Sequence, residues 1–99
     1  MSYRLRLTGA AADDLERLFS FLADRDLAAA KRARHAIEKA FGFLRDFPFA
    51  CRKASPEHAF LREMLIEFGD AGYVVLYEIE DENTVTILAV RHQREDDYH

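Results

Sequence analysis

Residues 60–99 read FLREMLIEFGDAGYVVLYEIEDENTVTILAVRHQREDDYH, and they contain three apolar segments separated by two short polar links. Apolar side chains alternate with other residues, as at Val85, Ile87 and Ala89, which is typical of strands with one buried face. The links Gly-Asp-Ala-Gly and Asp-Glu-Asn are short enough to join antiparallel neighbours. The pattern therefore predicts three consecutive antiparallel strands over residues 59–68, 73–80 and 84–92.

The first half of the chain predicts one more strand and two helices. Leucines alternate with arginines over residues 2–8, which indicates a strand with one buried face. Apolar residues then follow helical spacing over residues 10–23. Asp26 is a good N-cap for a second helix, which Pro48 ends because proline cannot continue a helix. The link between the two helices is short, so we expect a helical hairpin.

Together these elements give the order β-α-α-β-β-β and an α+β fold. We expect a four-stranded antiparallel sheet packed against the helical hairpin, because two layers bury every apolar stripe. Phe68, Tyr73 and Tyr77 are expected in the core, and no element is predicted for the connection at 49–58. A chain of 99 residues suits one domain, spanning residues 1–99.

Composition narrows the classes of protein to which the chain can belong. With 49% hydrophobic and 32% charged residues, it has the composition of a packed globular protein. The single cysteine, Cys51, cannot form an internal disulfide, and no signal peptide is evident, so we expect a cytoplasmic protein. No apolar run approaches the roughly 20 residues that span a membrane. The net charge of −4 argues weakly against nucleic-acid binding.

No cofactor, metal or nucleophilic catalyst is expected from the motifs. The four histidines and Cys51 lack the close spacing of zinc ligands. No glycine-rich phosphate loop is present, and neither Ser20 nor Ser55 has an adjacent histidine motif.

The element order and several motifs resemble the RelE/ParE toxins of bacterial type II toxin–antitoxin systems. The motifs are Leu61-Arg62-Glu63, GYVVLYEI at 72–79 and AVRHQREDDY at 89–98. The resemblance implies a cytoplasmic, growth-inhibiting toxin. It also implies a cognate antitoxin, whose extended, partly helical segment orders on binding, and an oligomeric toxin–antitoxin complex.

Members of this superfamily act in two ways. RelE-type toxins cut messenger RNA on the ribosome with cations that stabilise the phosphate, namely two lysines alternating before the Gly-Tyr pair and an arginine after it. At these positions the chain has Leu65, Glu67 and Val74, and a glutamate would repel the phosphate. ParE-type toxins lack these cations and poison DNA gyrase by protein–protein contact.

The resemblance is therefore nearer to the ParE-type branch, which implies a gyrase inhibitor with no catalytic residues. The alternatives are a ribosome-dependent mRNA endonuclease and a non-toxic interaction module of the same fold. The candidates for target binding, or for catalysis in the nuclease alternative, are Arg62, Arg91, His92, Arg94 and Tyr98. Arg62 has two further interpretations, as an organiser of the fold or as half of a surface ion pair, and the Arg91-to-Arg94 stretch is alternatively a solvated strand end.

Four apolar side chains exceed what a single helical stripe can bury. We predict that they line an antitoxin-binding groove. They are Phe19, Leu22, Phe43 and Phe47. The second helix also has a basic side that includes Arg32, His35 and Lys39. This side is interpreted first as a solvated helix face, with a nucleic-acid patch or a site for an acidic antitoxin segment as alternatives.

Overall fold

The computed structural model describes residues 2–93, which form two α-helices, a short 3-10 helix and five strands. In chain order these are β1 (Arg4–Leu7), α1 (Gly9–Arg25), α2 (Leu27–Asp46), the 3-10 helix (Pro48–Ala50), β2 (Arg52–Ser55), β3 (His58–Ile66), β4 (Tyr73–Ile79) and β5 (Thr84–His92).

Side-chain caps fix where the two long helices begin. The Thr8 hydroxyl accepts a hydrogen bond from the Ala11 amide at 3.1 Å, and the Asp26 carboxylate accepts one from the Ala29 amide at 3.1 Å. Such caps satisfy amides that have no partner within the helix. The Asp26 amide also closes α1 on the Leu22 carbonyl at 2.7 Å, so one residue both ends α1 and begins α2. The predicted N-cap and helical hairpin are confirmed.

The sheet has the order β1-β5-β4-β3-β2 and is mixed, which corrects the expectation of four antiparallel strands. β1 runs parallel to β5, with Arg4 opposite Thr84, while the other pairs are antiparallel. A parallel pair needs a long crossover connection, and the helical hairpin with the following strands provides it.

The fifth strand, β2, lies in the connection for which the sequence predicted no element. Arg52 pairs with Glu63 and Lys53 with Arg62 at the edge of the sheet. The segment Arg-Lys-Ala-Ser has no alternation of apolar and polar residues, because an edge strand that is largely exposed needs none. The pairing of β2 depends on contacts with β3, which local sequence patterns do not reveal.

Both helices lie on one face of the sheet, and the core is between the two layers. β4 contributes Tyr73, Val75, Tyr77 and Ile79, and α2 contributes a stripe that includes Ile37. The predicted burial of Tyr73 and Tyr77 is confirmed, and Phe68 packs partly buried against this core. Within residues 2–93, neither helix is both long and apolar enough to cross a membrane.

An irregularity between β4 and β5 changes which residues of β5 face the core. Leu76 pairs with Ala89 while the next residue, Tyr77, pairs with Ile87, so one residue of β5 is extra. Such a bulge reverses the alternation beyond it. Val90 is therefore buried, whereas Ala89, predicted to share a face with Ile87, is only partly buried.

Candidate functional site

A cleft lies between α1 and the loop that joins β3 to β4, beside the end of β5. Its volume is about 700 Å³. α1 supplies one wall, and the loop and the adjoining strand ends supply the other. The lining residues are Arg17, Leu18, Phe21, Leu22, Phe68, Gly69, Asp70, Ala71, Tyr73 and His92.

Three aromatic rings in contact form the strand side of this cleft. Phe68 lies against Tyr73 with ring centroids 5.9 Å apart, and Tyr73 meets His92 edge-on at 5.7 Å. Burial raises the pKa of Tyr73 above its ordinary value, so its phenol, neutral at physiological pH in any case, stays neutral further into the alkaline range. The cleft is thus an aromatic and aliphatic surface with Arg17, Asp70 and His92 as its ionisable groups, which suits the burial of an apolar segment of a partner.

Asp14 on α1 holds the end of β5 in place. Its carboxylate accepts hydrogen bonds from the Val90 amide at 2.9 Å and from the Arg91 guanidinium, and it lies 3.6 Å from Arg17. β1 pairs with β5 only as far as Ile87. Asp14 therefore completes the hydrogen bonding of β5 beyond the end of β1.

Replacement of Asp14 by alanine is expected to lower the free energy of unfolding by roughly 2–3 kcal/mol, because the partly buried Val90 amide and Arg91 guanidinium both lose their acceptor. Urea titrations followed by circular dichroism measure the loss. Asp13→Ala is the control, since it removes the same charge from an exposed neighbouring position and should change stability by no more than about 0.5 kcal/mol. Equal losses in the two variants would show that Asp14 acts only through its charge.

Arg62, a predicted target-binding residue, binds the backbone of its own chain. Its guanidinium donates hydrogen bonds to the carbonyl oxygens of Ala59 at 2.7 Å, Cys51 at 2.8 Å and Phe49 at 3.2 Å. It also lies 5.3 Å from the centroid of the Phe49 ring. These contacts support the interpretation of Arg62 as an organiser of the fold, since they fasten the segment before β2 to β3.

The structure separates the predicted target-binding residues. His92 lines the cleft, Arg91 contacts Asp14 beside it, and Arg62 lies in the middle of β3, opposite Tyr77. Arg94 and Tyr98 lie outside the described residues.

The four predicted antitoxin-binding residues also occupy different places. Leu22 lines the cleft, and Phe19 packs partly buried against the core. Phe43 and Phe47 are 41% and 57% exposed and form a ring pair with centroids 5.3 Å apart at the end of α2. Sequence reasoning missed Phe21, an exposed ring in the cleft with the Arg25 guanidinium 4.0 Å from its centroid. Phe21 could have been identified from the sequence, because it lies outside the apolar stripe of α1 that packs against the core.

The face of the sheet opposite the helices has apolar residues where RelE-type toxins have cations. Leu65 pairs with Val74, and Val74 pairs with Arg91, so the three residues form one row across β3, β4 and β5. Leu65 is 50% exposed. Glu67 is exposed just beyond the end of β3. The row offers a phosphate one cation, Arg91, which contacts Asp14.

Comparisons with known proteins agree on the family. The model of the family described as the ParE toxin of the type II toxin–antitoxin system parDE matches residues 5–97. No curated protein shows significant similarity to the sequence. A solved structure of the chromosomal ParDE toxin–antitoxin system of P. aeruginosa has a TM-score of 0.73 at 16% identity, covering 92% of this chain and 96% of that chain. At this identity the likeness concerns the fold.

A second solved structure is similar in sequence as well. It is the toxin–antitoxin complex RelBE2 of Mycobacterium tuberculosis, with a TM-score of 0.60 and 34% identity, covering 93% of this chain and 99% of that chain. Both structures belong to toxin–antitoxin systems, and the family model extends over most of the chain. The chain therefore belongs to the ParE toxin family of type II toxin–antitoxin systems, within the RelE/ParE superfamily.

Proposed function

We propose that this toxin inhibits DNA gyrase by protein–protein contact, without chemistry of its own. The observation that carries the proposal is the row of Leu65, Val74 and Arg91 on the open face of the sheet. Cleavage of RNA requires cations that stabilise the negative charge developing on the phosphoryl oxygens. Leucine and valine cannot supply them, and the exposed carboxylate of Glu67 opposes phosphate binding.

The proposed target contact is at the end of β5 and in the cleft beside it. Asp14 fixes this strand end, and the edge-on contact with the buried Tyr73 ring holds the His92 ring in place. Rigid aromatic surfaces lose little conformational entropy when they bind a protein partner. Arg91 and His92 supply the polar contacts of this surface, whereas Arg62 contributes by fastening the segment before β2 to β3.

We further propose that a cognate antitoxin neutralises the toxin by covering its exposed apolar side chains. Both similar solved structures come from toxin–antitoxin systems. Phe43 on α2, Phe47 just beyond the end of α2 and Leu22 in the cleft would contact the antitoxin directly. Phe19 would support them from its partly buried position against the core. Because these positions are spread over the helical layer, the antitoxin segment must be extended rather than compact.

A ribosome-dependent mRNA endonuclease is the second candidate. It is favoured by the 34% identity to a chain of the RelBE2 complex, against 16% for the ParDE structure. In that case Arg91 would stabilise the negative charge on the scissile phosphate and His92 would accept the proton of the attacking 2′-hydroxyl. Arg94 and Tyr98 are further candidates for these roles.

Parallel assays of the purified toxin distinguish these functions. We expect the toxin to block supercoiling by gyrase of the same species, and we expect its antitoxin, added in equal amount, to restore supercoiling. His92→Ala should weaken the inhibition about tenfold, since it removes a central ring of the contact surface. Arg34→Ala, an exposed position on α2 that pairs with Glu38, is the control and should inhibit normally.

Messenger RNA in a cell-free translation mixture should stay intact in the same preparation. Codon-linked cleavage that His92→Ala abolishes, with supercoiling unaffected, would establish the nuclease instead. If expression without antitoxin fails to slow growth and both assays are negative, the chain is a non-toxic interaction module.

A further inference from the structure

A second, smaller hollow lies at the end of the sheet away from the cleft. It is where β4 ends, where β3 begins and where the chain enters β1. Its volume is about 270 Å³. The lining residues, called here the acidic groove, are Tyr3, Phe49, Phe60, Ile79, Glu80, Asp81 and Glu82.

Two phenylalanine rings give the acidic groove its apolar wall. Phe49 and Phe60 meet at 74° with centroids 6.0 Å apart, yet they are 49% and 55% exposed. Arg62 holds this wall in position, because its guanidinium lies against the Phe49 ring and donates to the Phe49 carbonyl oxygen. The rings are thus placed before any partner arrives, which lowers the entropic cost of binding.

Three consecutive acidic residues form the opposite side. Glu80, Asp81 and Glu82 are exposed in the turn that leads from β4 to β5. The Glu80 carboxylate accepts a hydrogen bond from the Thr86 hydroxyl, and the Asp81 carboxylate accepts one from the Asn83 amide at 2.8 Å. These bonds fix two of the carboxylates at the rim. No lysine or arginine is among the residues lining the groove, so its local charge is negative.

We infer that the acidic groove binds a segment of a protein partner in which one bulky apolar side chain is followed by lysine or arginine. The groove is smaller than the roughly 300–1,000 Å³ of small-molecule pockets, so it suits one anchoring side chain. Burial of that side chain against Phe49 and Phe60 supplies affinity. The three carboxylates attract the adjacent cations and repel acidic segments and nucleic acid.

This inference goes beyond gyrase inhibition and does not depend on it. The acidic groove and the cleft lie at opposite ends of β4, since Ile79 lines one and Tyr73 lines the other. A partner anchored in the acidic groove therefore leaves the cleft accessible.

Tryptophan fluorescence offers a direct test, because the chain contains no tryptophan. The probe is a ten-residue Gly-Ser peptide carrying one tryptophan followed by two lysines. We expect its emission to shift to the blue on titration with the intact toxin, and its affinity to fall as salt is raised. A peptide with glutamates in place of the lysines should bind at least about tenfold more weakly.

Variants locate the binding site. Phe60→Ala and Glu82→Lys should each weaken the lysine peptide about tenfold. Two control variants change residues outside the groove. Leu27→Ala removes an apolar side chain that is about as exposed as Phe60, and Glu16→Lys reverses the charge of an exposed acid on α1. Both should leave the affinity for the lysine peptide unchanged. The inference fails if the lysine peptide does not bind, if the glutamate peptide binds equally well, or if all four variants behave alike. Self-association of the toxin that Phe60→Ala abolishes would also overturn it, because the occupant would then be a second copy of this chain.

Discussion

Gly72→Ala should lower the free energy of unfolding by at least about 3 kcal/mol, a large part of the roughly 5–15 kcal/mol available to a domain of this size. Gly72 has a φ of +112°, in a region that side chains disfavour. A Cβ atom there would collide with the carbonyl oxygen of Ile66 and lie 3.0 Å from the Phe68 amide nitrogen. Both obstacles are backbone atoms, so they cannot move aside without disturbing the β3–β4 connection.

Gly69→Ala is the matched control in the same loop. Gly69 also has a positive φ, +61°, but a Cβ at this position meets nothing within 4 Å. Its replacement should therefore cost only the conformational strain, about 1 kcal/mol. Guanidinium titrations of the two variants measure the difference, and complete loss of the folded transition in Gly72→Ala agrees with the expectation. Similar losses in both would mean that the collision with Ile66 is relieved easily.

Tyr77→Ala should have the second large effect, a loss of about 3–5 kcal/mol. The Tyr77 ring is the largest fully buried side chain of the described part of the core, and its hydroxyl donates to the Pro48 carbonyl oxygen at 2.6 Å. Tyr77→Phe keeps the ring and removes only this bond, so it should cost about 1–2 kcal/mol. Urea titration of the pair separates packing from hydrogen bonding. Equal losses would show that the bond to Pro48 dominates.

Tyr77 also makes the free energy of unfolding depend on pH in the alkaline range. Burial, followed by the hydrogen bond and charge of the neighbouring Cys51, raises the pKa of Tyr77 above 10.0, against an opposing effect of the Arg62 charge. Below pH 10 the phenol is neutral in both states and its contribution is fully present. Above pH 10 the unfolded chain releases the proton first, so stability falls by up to about 1.4 kcal/mol per pH unit. Tyr77→Phe should show a shallower decline, with Tyr73 contributing what remains.

Local signals in the sequence identified the elements that local chemistry determines. Asp26 was recognised as a cap because its side chain needs only an amide three residues away, and Pro48 marked the end of α2 for an equally local reason. The apolar segment between the two short polar links predicted the strand that holds Tyr73 and Tyr77. These features depend on neighbours along the chain, which the sequence displays directly.

Other features depend on contacts between distant residues, and the sequence does not display those. The Asp14 carboxylate is an example, because it accepts a hydrogen bond from the Val90 amide, 76 residues away. β2 forms because Arg62 fastens the backbone before β2 to β3. No apolar pattern in the sequence indicates this contact. The predicted site residues were dispersed for the same reason, since spacing along helices does not say which ends of the sheet they reach.

The parallel pairing of β1 with β5 has a consequence for how the toxin is made. β1 is the first described strand to leave the ribosome, and β5 is the last. Because β5 lies between β1 and β4 in the sheet, the nascent chain cannot complete its sheet until nearly all of the described residues have been synthesised. Closing so long a loop raises the contact order and slows folding. A translation product that stops before Thr84 lacks the strand joining β1 to the rest, so interrupted synthesis yields no assembled toxin.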